Sequence, residues 1–235
     1  MNTLNICVLN FSGNVGKTTV AAHLLAPRLG APLISVESVN SDASADGIEL
    51  ERFKGSHYGE VQEALLARDG VVVDVGASNV ETFLKMMAGF KGSHDDYDLF
   101  VIPVVHQKKQ LADTINTMDA LTHRGVPPSK LRLVFNMVDP DSDLERDFAP
   151  VIVTAQKLDI RSPAAVVHRN EVFEMLKGSG RSLASVMADR TDYREQIRQT
   201  SDIPEKHRLI RRLSEQRLAA GCAENLDTAY RTLLA

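Results

Sequence analysis

The sequence of 235 residues contains no tryptophan, few aromatic residues of any kind and two cysteines. The missing tryptophan excludes nothing, but the scarcity of cysteine does. Cys7, in an early apolar run, and Cys222, near the C-terminus, cannot make a disulfide framework, and no His/Cys spacing suits zinc. Neither thiol has a setting that would lower its pKa, which argues against a nucleophilic cysteine. No apolar run approaches the roughly 20 residues that cross a bilayer, and no positively charged flank precedes the first apolar stretch. A cytoplasmic protein without a transmembrane segment is expected. Positive charge is not in excess either: 27 Lys and Arg against 31 Asp and Glu argue against nucleic-acid binding by the whole molecule, while a local basic patch stays open. No internal repeat or low-complexity stretch occurs. What remains, 43% hydrophobic and 25% charged residues, is the balance of a globular protein, and the length suits one α/β domain.

The densest signal is Phe11-Ser12-Gly13-Asn14-Val15-Gly16-Lys17-Thr18-Thr19. It follows the apolar run Asn5 to Asn10, expected as a buried parallel strand, and opens a helix predicted from Lys17 to about Leu29, ending near Pro27 and Gly30. A strand that turns through small residues into a helix aims several N–H groups and the positive end of the helix dipole at one spot, which favours an anion. Lys17 adds a charge for the β- and γ-phosphates, and the Thr18 hydroxyl is suited to a Mg²⁺ shell. The standard spacing G-x-x-x-x-G-K-T is not met, because Phe11 stands at the first glycine position. Ser12, Gly13, Asn14, Val15, Gly16, Lys17, Thr18 and Thr19 are the expected phosphate-binding residues.

Two further signals sit at later strand ends. Gly70-Val71-Val72-Val73-Asp74-Val75-Gly76 places a carboxylate at the tip of a buried strand. In open parallel sheets the ligand lies beyond the carboxyl ends of the strands, so Asp74 is expected beside the phosphate loop as the second metal-holding group with Thr18. An Asp at a strand end also starts turns, but the valine run and the loop upstream favour the metal role. Leu131 to Asp139 ends in Asn136-x-x-Asp139. An Asn amide can read a purine edge, and an Asp three residues on can accept from guanine N1–H and N2–H, so adenine and guanine both stay open. Asp139-Pro140 is also a strong turn dipeptide.

The rest of the chain reads as alternating strands and helices. Strands are expected at 32–37, 99–105 and 163–168, and helices at Tyr58 to Arg68, Val80 to Gly89, Leu111 to Leu121 and Leu144 to Leu158 with a break near Pro150. Pro103 should lie where ladder pairing stops. Ser38 to Gly47 is polar and without periodicity, as in a mobile or ligand-ordered loop. His168-Arg169-Asn170 is placed to wrap a base. The fold class is therefore α/β: a three-layer P-loop NTPase with a mostly parallel central sheet, comprising residues 1–190, and a helical, charged C-terminal extension, 191–235. Arg190 just before that extension, and Arg194, Arg198, Lys206, Arg208, Arg211, Arg212 and Arg217 within it, alternate with acids. A solvated helix with pairs such as Arg211 and Glu215 is the preferred reading, and a weak DNA contact around His207 to Arg212 is the other.

The loop from Gly13 to Thr19 resembles that of the ParA/MinD class of Walker ATPases, with Ser12 where the class carries its signature lysine and Asn14 where it has glycine. Asn10 to Thr19, Val36-Glu37-Ser38, Val73 to Glu81 and Leu133 to Val138 resemble one branch more closely, the StbB proteins of conjugative plasmids. This resemblance covers about the first 190 residues. It implies ATP/ADP and Mg²⁺ as cofactors, Asn136 as an adenine contact, and Lys17, Asp74 and Glu37 as the catalytic set, Glu37 ordering water near the metal. It also implies a role in plasmid stability or conjugative transfer beside a plasmid-encoded DNA-binding partner. Ser12 cannot reach across a homodimer as the signature lysine does. Val39 stands where the class has a water-orienting Asp, so Asn40 or Asp42 substitutes or hydrolysis is slow. The expected function is a Mg²⁺-dependent, slowly hydrolysing ATP switch. A GTP-preferring switch and a partner-binding adaptor with a structural nucleotide are the alternatives.

Overall fold

A computed structural model describes residues 4–37, 50–54, 56–160 and 163–235. The loop expected at Ser38 to Gly47, with Val39, Asn40 and Asp42, lies outside the described residues. Seven strands form one sheet: β1 (Asn5–Val8), β2 (Leu33–Val36), β3 (Leu50–Phe53), β4 (Val71–Val75), β5 (Leu99–Val104), β6 (Leu131–Val138) and β7 (Ala165–His168). Their order is β3-β2-β4-β1-β5-β6-β7, and every pairing among the described residues is parallel. The sequence reading passes over β3. Its Leu-Glu-Arg-Phe carries two charges and only half-buried apolar ends, which an edge strand tolerates, and Glu51 pairs with Arg68. Central strands show the opposite composition: all five residues of β4 are buried, as a strand covered on both faces requires.

Pro103 sits inside the β5–β6 ladder, opposite Val134. The carbonyls of Val101 and Pro103 both face the β1 side, where they accept from the Leu9 N–H and the Asn10 side chain. The missing N–H therefore points past the end of β1, and the ladder to β6 loses nothing.

Helices cover both faces. On one lie α3 (Tyr58–Leu66), α4 (Val80–Gly89), α5 (Lys108–Thr122) and α7 (Ala149–Lys157), the last following the short α6 (Leu144–Asp147) across a break at Phe148. Their apolar stripes, Val61 and Leu65, Phe83 and Leu84, Met118 and Leu121, Val151, meet alternate residues of the sheet in one core. The other face carries the helical run after β1, α8 (Val172–Leu176), α9 (Leu183–Ala188) and α11 (Ile203–Leu233), with α10 (Tyr193–Gln199) leaning on α11.

The run after β1 consists of α1 (Lys17–Thr19), a π-helical turn (Val20–Leu25) and α2 (Ala26–Leu29), so it passes through Pro27. Proline has no N–H for the carbonyl four residues back, that of His23. The Arg28 guanidinium takes over that carbonyl at 2.7 Å and the next, Leu24, at 3.3 Å. The wider π turn before Pro27 is the accommodation such a residue demands.

Residues 191–235 form α10 and α11, each capped by an aspartate, Asp192 and Asp202, that accepts from the N–H three residues on. The second half of α11 buries Ala219, Cys222, Leu226, Ala229 and Leu233 against the sheet and the helix after β1. It is a covering helix there, not a solvated one. Glu215 is buried too, and it pairs with Arg181 at 2.7 Å and Arg212 at 2.9 Å instead of the expected Arg211. Asn225 closes the β7 edge: its Nδ2 donates to the Val166 carbonyl at 3.0 Å and its Oδ1 accepts from the His168 N–H at 2.9 Å, the two bonds a further strand would make. Asn225→Ala should lower stability by about 2 kcal/mol, two hydrogen bonds at roughly 1 each, measured as a shift in urea unfolding.

Candidate functional site

In the parallel register Val8 stands beside Asp74, and Asp74 beside Ser35. The peptides that follow β1, β2 and β4 therefore leave the sheet at one edge, the place where an open α/β sheet binds its ligand. There the chain runs through Ser12, Gly13, Asn14 and Val15 into α1. Asn14 has φ 58° and Gly16 has φ 79°, so two left-handed residues wind the loop before the helix starts. The Lys17 ammonium, nearly buried, donates to the Ser12 carbonyl at 2.6 Å, which closes the loop into a ring of backbone around the head of α1. The Thr18 hydroxyl donates to Asp74 Oδ2 at 2.7 Å.

The electrostatics of this cluster are set by burial. Asp74 is 3% exposed, and desolvation pushes its carboxyl up to about 6 against the Thr18 hydrogen bond and the Lys17 charge, with Glu37 adding to the rise. Burial lowers Lys17, and Asp74 and Glu37 act the other way. Glu37 thus belongs to the same field. Gly76 lies against it: a Cβ there would sit 3.2 Å from Glu37 Cγ and 3.3 Å from the Val36 carbonyl.

A hard divalent cation fits this donor set. The second oxygen of Asp74, Oδ1, is buried with no hydrogen-bond partner among the described residues, and the other oxygen already shares the Thr18 hydroxyl. A buried carboxylate oxygen left unpaired is an unstable arrangement unless an ion or water meets it. No group of three or more His, Cys, Asp or Glu that could hold a metal occurs among the described residues, so such an ion would rely on Thr18, Asp74, water and ligand oxygens.

Asn136 reaches the loop instead of a free edge. It is 2% exposed and its Nδ2 donates to the Val15 carbonyl at 2.9 Å. Met137, the next residue, is in the left-handed region at φ 55°, beside a register shift between β6 and β7. Such strain in a non-glycine residue is held where surrounding structure over-determines it. Asp139 is not in the cluster: half exposed, it accepts from Arg169 Nε at 2.9 Å. The Arg169 N–H donates to the Val138 carbonyl, and His168 Nδ1 lies 3.3 Å from the same carbonyl. Thr19 is the last residue of α1 and is half-buried.

The sequence reading missed three residues that back the loop: Asn10, fully buried, and Thr114 and Thr117 of α5, also fully buried. The available signal was a pair of threonines at i, i+3 among Leu111, Met118 and Leu121 on the apolar side of a helix. A buried hydroxyl at such a place needs a partner.

No family model matches the sequence, and no curated protein does. Solved structures do. The MinD cell division protein of Aquifex aeolicus superposes over 93% of this chain and 97% of its own, with 13% identity and a TM-score of 0.54. The cell division ATPase MinD of Pyrococcus furiosus covers 97% of this chain and 99% of its own at 15% identity and 0.52. Apo McdA of Cyanothece covers 78% and 93% at 13% identity and 0.51. Identity this low speaks for the fold. With its seven parallel strands, helices on both faces and a covering C-terminal helix, the chain has the P-loop NTPase fold that the MinD structures display.

Proposed function

We propose that this protein is a Mg²⁺-dependent, ATP-binding switch of the ParA/MinD type with slow hydrolysis, serving plasmid stability or conjugative transfer. The observation that carries the nucleotide reading is the convergence of Lys17, Thr18 and Asp74 at the head of α1. The loop amides and Lys17 would bind the phosphates, and Thr18 and Asp74 would hold the metal, with Glu37 in their field. Magnesium bound there would neutralise phosphate charge as it develops on the leaving oxygens. The sequence pattern and this geometry together support these residue roles. The biological setting follows from the StbB-like segments, with a plasmid-encoded DNA-binding protein as partner.

Adenine is favoured over guanine, because the Asp139 carboxylate is engaged by Arg169. Competition of ATP and GTP for a fluorescent nucleotide tests the base. ATP should displace it at the lower concentration, and Asp139→Ala should leave that order unchanged; GTP displacing first would favour the GTP switch. Phosphate release under multiple turnover then separates a switch from an adaptor. A variant that binds but does not hydrolyse should lose plasmid maintenance or transfer, and full retention would favour the adaptor.

A further inference from the structure

We infer that Asn10, held by Thr114, is a positioning residue for the phosphate loop, and that Thr117 holds the Phe11 N–H beside it, so that α5 sets the loop's affinity for nucleotide; this rests on the nucleotide reading above. Asn10 is fully buried and uses both ends of its amide. Its Nδ2 donates to the Pro103 carbonyl at 2.9 Å and to Thr114 Oγ1 at 2.8 Å. Its Oδ1 accepts from the Ser12 N–H at 2.8 Å. Thr117 Oγ1 accepts from the Phe11 N–H at 3.1 Å and lies 3.4 Å from Asn10 Oδ1.

Each threonine hydroxyl has one proton, and each donates it to its own helix: Thr114 to the Gln110 carbonyl at 2.8 Å, Thr117 to the Asp113 carbonyl at 2.7 Å. Both hydroxyls therefore turn only lone pairs toward the loop. Thr114 and the Pro103 carbonyl together demand a donor, which fixes the Asn10 amide with nitrogen toward α5 and oxygen toward Ser12. The Ser12 N–H is thereby bound inward, and the Ser12 carbonyl is left facing Lys17, which it meets at 2.6 Å. One chain of contacts thus runs from α5 through Asn10 and the Ser12 peptide to the ammonium expected on the phosphates. The chain leaves β1 before its backbone reaches the Pro103 carbonyl, so the Asn10 amide takes it.

The test compares the full-length chain with Thr117→Val, Thr117→Ser, Asn10→Asp and a core control, Met118→Leu, reading the dissociation constant of Mg·ATP, kcat for phosphate release and the urea midpoint without nucleotide. Asp at 10 would set a carboxylate oxygen against the Pro103 carbonyl and a hydroxyl that has no proton to spare. Asn10→Asp is expected to weaken Mg·ATP binding about 10-fold or more, and Thr117→Val about 5-fold, the scale of one lost buried hydrogen bond. Thr117→Ser restores binding, and Met118→Leu leaves it unchanged whatever it does to the urea midpoint. Should Asn10→Asp fail to fold, the Thr117 pair decides. A wild type that binds Mg·ATP while Thr117→Val binds within about twofold of it, or Met118→Leu weakening binding as much as Thr117→Val, overturns the inference alone. A wild type that binds no nucleotide removes the nucleotide reading and this inference with it.

Discussion

Gly16→Ala is expected to destabilise the protein by about 2–5 kcal/mol and to abolish nucleotide binding. Gly16 holds φ 79°, where a residue with a Cβ costs about 1–2 kcal/mol. The new Cβ would also stand 2.1 Å from Asn136 Nδ2, far inside contact distance, and 3.5 Å from Met137 Cε. Asn136 is buried and its Nδ2 bond to the Val15 carbonyl would have to break, leaving two buried polar groups unpaired at about 1–3 kcal/mol. Urea unfolding checks the total, and a double-mutant cycle separates its parts. Asn136→Ala in the Gly16→Ala background should recover the collision but not the backbone strain, so the two changes should be far from additive. Additivity would mean that β6 and the loop are not in contact in solution.

Asp74→Asn should act in opposite directions on stability and function. The folded carboxyl titrates at about 6, above the ordinary carboxylate value, so the folded state binds its proton more tightly than the unfolded chain does. Stability from this group is therefore fully present below the unfolded pKa of about 3.9 and is lost as the pH rises through about 6. Near pH 8 the buried charge costs about 3 kcal/mol, at about 1.4 kcal/mol for each pKa unit. An amide has no charge to bury, although its NH₂ would stand where Oδ1 now has no partner. Asp74→Asn without nucleotide should be more stable than wild type by about 2 kcal/mol at pH 8, with the difference gone near pH 4, while Mg²⁺-dependent nucleotide binding falls. Urea midpoints at pH 4, 6 and 8 give the answer. A variant less stable than wild type at pH 8 would show that the Asp74 charge is not held in a dry site.

The sequence makes the site legible where its chemistry is local. The loop from Ser12 to Thr19 and the valine run into Asp74 are contiguous strings, and the parallel register that joins them follows from two buried strands adjacent at β1 and β4. Three features needed the folded chain. Leu50 to Phe53 has too little apolar surface to stand out as a strand, because an edge is covered on one side only. The stripe Ala219, Cys222, Leu226, Ala229 and Leu233 is built from small residues and diluted by charge, so α11 reads as solvated although it covers the sheet. Glu215 finds Arg181, 34 positions away in sequence, as well as its own-helix neighbour. Asn10 is a fourth: its partners Pro103 and Thr114 lie about a hundred positions away.

On the proposed function, Lys17, Thr18 and Asp74 form a site for a magnesium-bound nucleoside triphosphate. Calorimetric titration of the full-length chain with ATP, with and without Mg²⁺, tests it most directly when Lys17→Ala is run beside the wild type. Binding is expected for the wild type, tighter with Mg²⁺, and weaker by about 10- to 100-fold in Lys17→Ala, the scale of a charge-assisted hydrogen bond to phosphate. No binding at millimolar ATP with Mg²⁺, or equal affinity in Lys17→Ala, would contradict it.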